Sequence, residues 1–455
     1  MSTSMRRWAR VYGTAICVLA AFVAGADESA LSGKKLGTIF NNDINNILWM
    51  SSGKDTTVEE YRYAVMRILD LKPGILAQNV GMPDPVIYRS KVATTWDKYH
   101  AEVTKAVWPE TSPEDAERQA AAMRRLLELG TDPLAITIQA CRERGVPIVA
   151  SYRMNAEDFY QCELDLSDFD RAHKDLCIPG KNCLDPVHPE VFAHRMAIFT
   201  EVVSEYDIDG IEFDFRRWYN MISEPLKNYP VLTRMVAETR HMLDEAAKRK
   251  GRKRLLLGVR VGPMLEGPFK KEDFPGAYYG EPTNASCKSL GLDVRTWVEQ
   301  GLVDYICPAL FSPIGLPRTK EFVTLTKGTE IGVYPTISYT PQWAHYDGPN
   351  PEDGDAIRLR HVRAIADEAL ACYDEGADGV SLFNWFPHQF PVPGAVYQGW
   401  GRKREWASTY TPESLGFGLV QQYMLPKLGR PDELRACLKE DLPAMLRGGD
   451  IVPGH

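Results

Sequence analysis

The sequence predicts an α/β fold, a (β/α)₈ TIM barrel with long loops at the C-terminal face of the strands. Three observations carry this expectation. Eight short β-like runs alternate with helix-like stretches, the pattern of repeated β-loop-α units. Connections from helix to strand take a few residues, whereas those from strand to helix mostly run to about 15 to 35. A doubly wound open sheet shares the alternation, but no Gly-x-Gly-x-x-Gly turn or phosphate loop marks a strand end.

The predicted strands are 35–40, 74–79, 147–152, 210–215, 255–261, 303–311, 332–337 and 379–384. Helical periodicity occupies 58–71, 113–144, 189–206, 231–249, 293–300 and 355–374. Residues 415–428 and 431–446 read as closing helices. Ahead of the first strand, Arg6, Arg7 and Arg10 precede an apolar run over 11–23 and the small residues Ala24-Gly25-Ala26, as in an export signal. A membrane anchor competes with this reading, but the run is shorter than the roughly 20 apolar residues that span a bilayer. The expected organisation is a signal peptide over 1–26 and a single barrel domain over 27–455, exported to the periplasm or the medium.

Loss of 1–26 removes three arginines and no acid, taking the formal net charge from −8 to −11. Such a chain is a poor partner for nucleic acid. Nine cysteines occur, of which Cys17 lies in the signal. Cys177 and Cys183 flank the turn-forming 178–182 and could close a small disulfide loop, while Cys141, Cys307 and Cys372 read equally well as buried small hydrophobes. No Cys-x-x-Cys or His-x-x-x-His spacing suggests a metal, and no cofactor is expected.

The chemistry concentrates in Asp209-Gly-Ile-Glu-Phe-Asp214 and the arginines that follow. Along a strand, Gly210, Glu212, Asp214 and Arg216 share one face while Ile211, Phe213 and Phe215 share the other. The apolar face suits the helix layer. The polar face then points into the barrel, with Asp214 and Arg216 nearest the rim and Glu212 a layer deeper. Burying two carboxylates and a guanidinium costs several kcal/mol unless they pair. Either a structural ion-pair network or a catalytic carboxylate with a tuned pKa accounts for them.

The stretch 206–217 resembles the fourth strand of barrel glycosidases, especially the glycosyl-hydrolase-like family 10 group and its relatives. It is also similar to the Asp-Gly-x-Asp-x-Asp-x-Glu strand of family 18 chitinases, whose final glutamate donates the proton. Arg216 occupies that register here and cannot donate as an acid does. The chitinase mechanism therefore does not carry over, and Asp214 becomes the leading carboxylate. The strand ends Asn41-Asn42-Asp43, Ser151-Tyr-Arg-Met-Asn155, Val259-Arg-Val261 and Ser381-Leu-Phe-Asn-Trp385 agree with the broader resemblance, as does 291–304 before the sixth strand.

The resemblance implies a glycoside hydrolase, and such chemistry usually uses two carboxyl groups. Glu266, just past the fifth strand, is the expected partner of Asp214; Glu212, Asp158 and Asp43 remain alternatives, and an exposed loop role for Glu266 stays open. Asn42, Asp43, Arg153, Asn155, Arg216, Arg217, Trp218, Arg260, Asn384 and Trp385 are expected to line a carbohydrate pocket. Loop aromatics, including Trp96, Tyr99, Trp108, Tyr160, Tyr278, Tyr279, Trp343 and Trp400, supply faces for pyranose stacking or pin their own loops. The arginines suggest a substrate bearing carboxylate or sulfate groups, although salt bridges within the chain explain them equally well. A non-catalytic glycan-binding barrel, or a barrel with other carbohydrate chemistry such as a lyase, is the alternative.

Overall fold

The computed structural model describes residues 31–44, 46–107, 109–154, 167–216, 221–274, 285–310, 315–337, 365–383 and 424–439. The chain divides into Met1–Leu31 and Ser32–His455, and every element below belongs to the second unit. The expected signal segment therefore lies outside the described residues.

Nine parallel strands form one sheet: β1 (Thr38–Asn42), β2 (Ile75–Gly81), β3 (Ile148–Arg153), β4 (Gly210–Asp214), β5 (Leu256–Val261), β6 (Tyr305–Pro308), β7 (Gly332–Val333), β8 (Thr336–Ile337) and β9 (Val380–Phe383). Each predicted strand overlaps one of them and the seventh contains two, with β1, β2 and β3 running one or two residues past the predicted ends. The order is β7-β6-β5-β4-β3-β2-β1-β9-β8. Its two ends are neighbours in the chain, separated only by Tyr334 and Pro335. Thr336 bridges Ala309 on one side and pairs with Ser381 on the other, while Tyr334 N donates to Ile306 O at 2.8 Å and Ser381 N to Pro335 O at 2.9 Å. The sheet thus closes into an eight-stranded barrel. Pro335 has no N–H, so the ladder breaks there into two short pieces.

The outward faces of the strands carry Phe40, Leu76, Tyr152, Ile211, Phe213, Val259 and Leu382, all packed in the core beneath the helices. Phe199 lies between Tyr152 and Phe213, each ring 4.9 Å away, and Phe215 meets Trp297 at 5.8 Å. Burying each such ring contributes about 1.5–3 kcal/mol.

Helices Val58–Leu69, Pro189–Glu205 and Val294–Glu299 match the periodic stretches. The predicted helix 113–144 is two helices, Pro113–Glu128 and Pro133–Arg144. Gly130, at φ +81°, ends the first, and Asp132 caps the second by accepting from Ala135 N ahead of Pro133. The predicted helix 231–249 begins earlier, at Pro225, and passes through Pro230. Only its last residues, 365–374, are described for the predicted helix 355–374, and the described parts of the closing helices are a 3-10 turn at Leu425–Lys427 and the helix Pro431–Cys437. Cys141, Cys307 and Cys372 are buried, and Cys177 and Cys183 lie on facing arms of a hairpin in which Cys177 bridges Leu184.

At the bottom of the barrel one device repeats. Asp209, Asp304 and Asp378, each just before its strand, accept the backbone N–H of Ile148, Leu257 and Val333 at 2.8, 2.7 and 3.0 Å. Arg142 and Arg252 hold Asp209, while Arg240 and Arg254 hold Asp304. Asp209, at the head of the acidic strand, is therefore a structural acid at the end opposite to Asp214. Asp304→Ala leaves Nη1 of the buried Arg240, Nε of Arg254 and a strand N–H without their acceptor. It should lower stability by about 2–4 kcal/mol, read as a lower urea midpoint at an unchanged slope.

Candidate active site

The face pattern expected for β4 is observed, with Ile211 and Phe213 in the helix-facing core and Glu212 and Asp214 inside the barrel. Glu212 sits at the centre. Its Oε1 accepts from Asn41 Nδ2 at 3.1 Å and Ser151 Oγ at 2.9 Å. Its Oε2 accepts from Tyr305 Oη at 3.2 Å and Arg260 Nη2 at 3.4 Å. Arg260 Nη1 in turn donates to Thr336 Oγ1 at 2.7 Å and Ser381 Oγ at 2.9 Å. Glu212 and Arg260 are both wholly buried. Burial opposes the charge on Arg260, but the groups around it, led by the Glu212 carboxylate and joined by Asp214, together outweigh burial and hold the guanidinium above its ordinary pKa. Burial, reinforced by the charge of Glu212, likewise keeps the Tyr305 phenol protonated.

Gly258 makes this arrangement feasible. A Cβ there would stand 2.0 Å from the Tyr305 ring and 2.4 Å from its hydroxyl, so the strand leaves the space through which Tyr305 reaches Glu212.

One rung nearer the rim, Asp214 pairs in register with Arg153 on β3 and Arg260 on β5. Asp214 Oδ1 accepts Arg216 N at 2.9 Å, whereas the buried Oδ2 has no hydrogen-bond partner among the described residues. Burial raises the Asp214 carboxyl above the usual carboxylate range; Arg260 and Arg153 pull it down and Glu212 pushes it up. Arg153 and Asp43 form a buried ion pair at 2.6 Å, and Asp43 Oδ1 accepts Ile44 N. Arg216 donates to Leu310 O at 3.0 Å and lies 4.3 Å from the Phe383 ring centroid, with Arg260 at 5.2 Å from the same ring. Three carboxylates, Asp43, Glu212 and Asp214, thus share the barrel mouth with Arg153, Arg216 and Arg260.

The sequence placed two residues differently. Glu266 does not join this cluster: its carboxylate is 54% exposed and faces Lys288 and Arg295 at 3.6 and 3.5 Å, on the wall of a surface pocket with Leu226 and Tyr229. The loop after β5 turns outward, toward the helix that follows β4. Asn42 points away from the barrel interior, donating to Gln78 Oε1 at 2.8 Å and accepting from Asn46; Asn41 is the inward residue. Because Ile39 and Phe40 are both apolar, β1 has no alternation from which to choose between the two asparagines.

Trp96 is buried on Gln119 and His100 rather than lining a cleft, and Tyr99 is pinned by Asp168 with Arg171 3.7 Å over its ring. Asn155, Asp158, Arg217, Trp218, Asn384 and Trp385 lie outside the described residues, as do the other loop aromatics named above. Ser151 and Tyr305 were not singled out from the sequence. Ser151 has the same parity as Arg153, whereas nothing local marks Tyr305, which reaches Glu212 across Gly258.

Glu212→Ala should cost about 3–5 kcal/mol by leaving Arg260 buried and unpaired. Gly258→Ala should cost about 1–3 kcal/mol through the clash with Tyr305. Both should appear as lowered denaturant midpoints.

No family model matches the chain. It is 29% identical over 148 residues to the protein named glycosyl hydrolase DigH of Escherichia coli strain K12, covering 29% of this chain and 32% of that one. The protein of the same name from Escherichia coli O6:H1 is 28% identical over 143 residues. The chain thus matches about a third of the length of these curated relatives. Among solved structures, a family GH18 chitinase from Cycas revoluta complexed with allosamidin aligns at 9% identity over 86% of this chain and 99% of its own, with a TM-score of 0.41. An α-L-fucosidase isoenzyme 2 from Paenibacillus thiaminolyticus aligns at 13% identity over 89% of this chain and 50% of its own, with a TM-score of 0.40.

Proposed function

We propose that the protein is an exported glycoside hydrolase of the glycosyl-hydrolase-like family 10 group, acting on an oligo- or polysaccharide with Asp214 as the reacting carboxyl. The observation that carries this is the unpartnered, buried Oδ2 of Asp214 at the C-terminal end of β4, where barrel enzymes place their chemistry. A carboxyl held above its ordinary range keeps a proton for a leaving-group oxygen. The partial likeness to proteins named glycosyl hydrolase supports the reaction class.

Glu212 fits a positioning role. Four donors occupy its two oxygens, so it fixes Arg260 and Tyr305 beneath Asp214 rather than attacking substrate. It lies two residues from Asp214 on the same face, about 7 Å along the strand, and its charge bears on Asp214. Arg153 and Arg216 at the rim favour a substrate carrying uronate or sulfate groups. The outward placement of Glu266 gives a second reading its footing, a glycan-binding barrel without turnover.

Mature protein screened against neutral, uronate-containing and sulfated polysaccharides tests the proposal. Asp214→Asn should lower turnover at least about 100-fold; turnover equal to wild type removes Asp214 from the reaction, and no turnover of any glycan favours the binding barrel. Because folding raises the Asp214 pKa, wild type loses stability relative to Asp214→Asn as the pH rises through that folded value. Thermal melts should show the variant equal to or above wild type at pH 7, converging below pH of about 4. Activity should fall on the alkaline side as the same proton is lost.

A further inference from the structure

The inward polar side chains of the strands around Glu212 form one net, with Asn41, Ser151, Tyr305, Arg260, Thr336 and Ser381 reaching Glu212 directly or through Arg260. β2 contributes one residue to the same level, Asn79, which pairs in register with Ser151 as Ser151 pairs with Glu212. Its neighbours Leu76 and Val80 pack in the helix-facing core, so Asn79 faces the barrel interior. Yet its Oδ1 and Nδ2 are both buried and both lack a hydrogen-bond partner among the described residues. Leaving a buried polar atom unpaired costs about 1–3 kcal/mol. The β2–β3 register also shifts just after Asn79, a bulge of the kind that re-aims side chains beside active sites.

We propose that Asn79 is a substrate-binding residue whose carboxamide takes two neighbouring hydroxyls of a sugar ring, one donating to Oδ1 and the other accepting from Nδ2. A carboxamide asks for a donor and an acceptor side by side. Sugar hydroxyls supply both, whereas a sulfate or carboxylate group accepts only and leaves Oδ1 unpaired. Asn79 thus selects the neutral, hydroxyl-bearing part of the ligand and leaves any anionic group to the arginines. Strand spacing puts its Cα about 10 Å around the wall from that of Glu212, with the side chains converging on the axis. The inference rests on the glycan reading above but not on catalysis.

The test uses full-length mature protein and the variants Asn79→Leu, nearly isosteric and apolar, and Asn79→Ala. Thermal melts are recorded alone and with glucose, N-acetylglucosamine, glucuronate or, as an acceptor-only control, sodium sulfate. Asn79→Leu deletes two unpaired atoms, so its Tm without ligand should equal or exceed that of wild type. The sugars should raise the Tm of wild type and not that of either variant. A lower Tm for Asn79→Leu without ligand would mean that the amide is satisfied within the fold and overturns the proposal. So does a sugar shift that survives in both variants, a sulfate shift lost with Asn79, or no sugar shift in wild type. Turnover separates this from the hydrolase reading. An Asn79-dependent sugar shift without hydrolysis of any glycan retires catalysis and keeps the binding role. Loss of turnover in Asp214→Asn, with unchanged KM and sugar shift in Asn79→Leu, does the reverse.

Discussion

The Glu212–Arg260 pair is the constraint on which the barrel interior depends. Through its four donors and those of its arginine, one carboxylate links β1, β3, β4, β5, β6, β8 and β9. A barrel filled with apolar side chains would gain comparable stability more cheaply, because buried ion pairs recover their desolvation only when every lone pair is met. Here each oxygen of Glu212 takes two donors and Arg260 meets Glu212, Thr336 and Ser381, although its buried Nε has no partner among the described residues, and the result is a rigid polar floor. On that floor the rung above can carry Asp214 with one oxygen unsatisfied, because the residues beneath it cannot swing up to pair with it.

The acidic strand therefore has two ends with different work. Asp209 anchors the start of β4 to the N–H of Ile148 and to two arginines, a purely architectural duty repeated by Asp304 and Asp378. Five residues later Asp214 sits in the opposite condition, buried and short of partners. Stability gathers at the lower face, and the proposed chemistry lies at the upper, as in barrels generally.

Much of this was legible in the chain. Strands with clear alternation, β4 above all, announced both their position and their faces, and the asymmetry of loop lengths indicated the rim to which the proposed site is assigned. What failed lacked a local signal. β1 and β2 each run apolar on both faces (Ile39-Phe40, Ile75-Leu76-Ala77) and then place two polar residues side by side, so parity could not separate Asn42 from Asn41 or Asn79 from Gln78. Glu266 was placed by adjacency around the ring, but adjacency does not say which way a loop folds, and Lys288 and Arg295 hold it outside. The long helical stretch 113–144 concealed a break because its periodicity resumes after Asp132.

The interrupted strand at Tyr334-Pro335 bears on how the ring assembles. β1 through β6 each pair with the next strand and can zip in order, and Thr336 meets Ala309 and Ser381 at comparable separations, whereas the closing contacts of β1 join Thr38 and Asn41 to Val380 and Phe383 at the far end of the barrel sequence. Contacts so distant along the chain form late, after the entropy of the intervening loops has been spent. The β1–β9 contacts are therefore the last part of the ring to form, and the two-residue strands flanking Pro335 are the weakest point of an otherwise continuous wall.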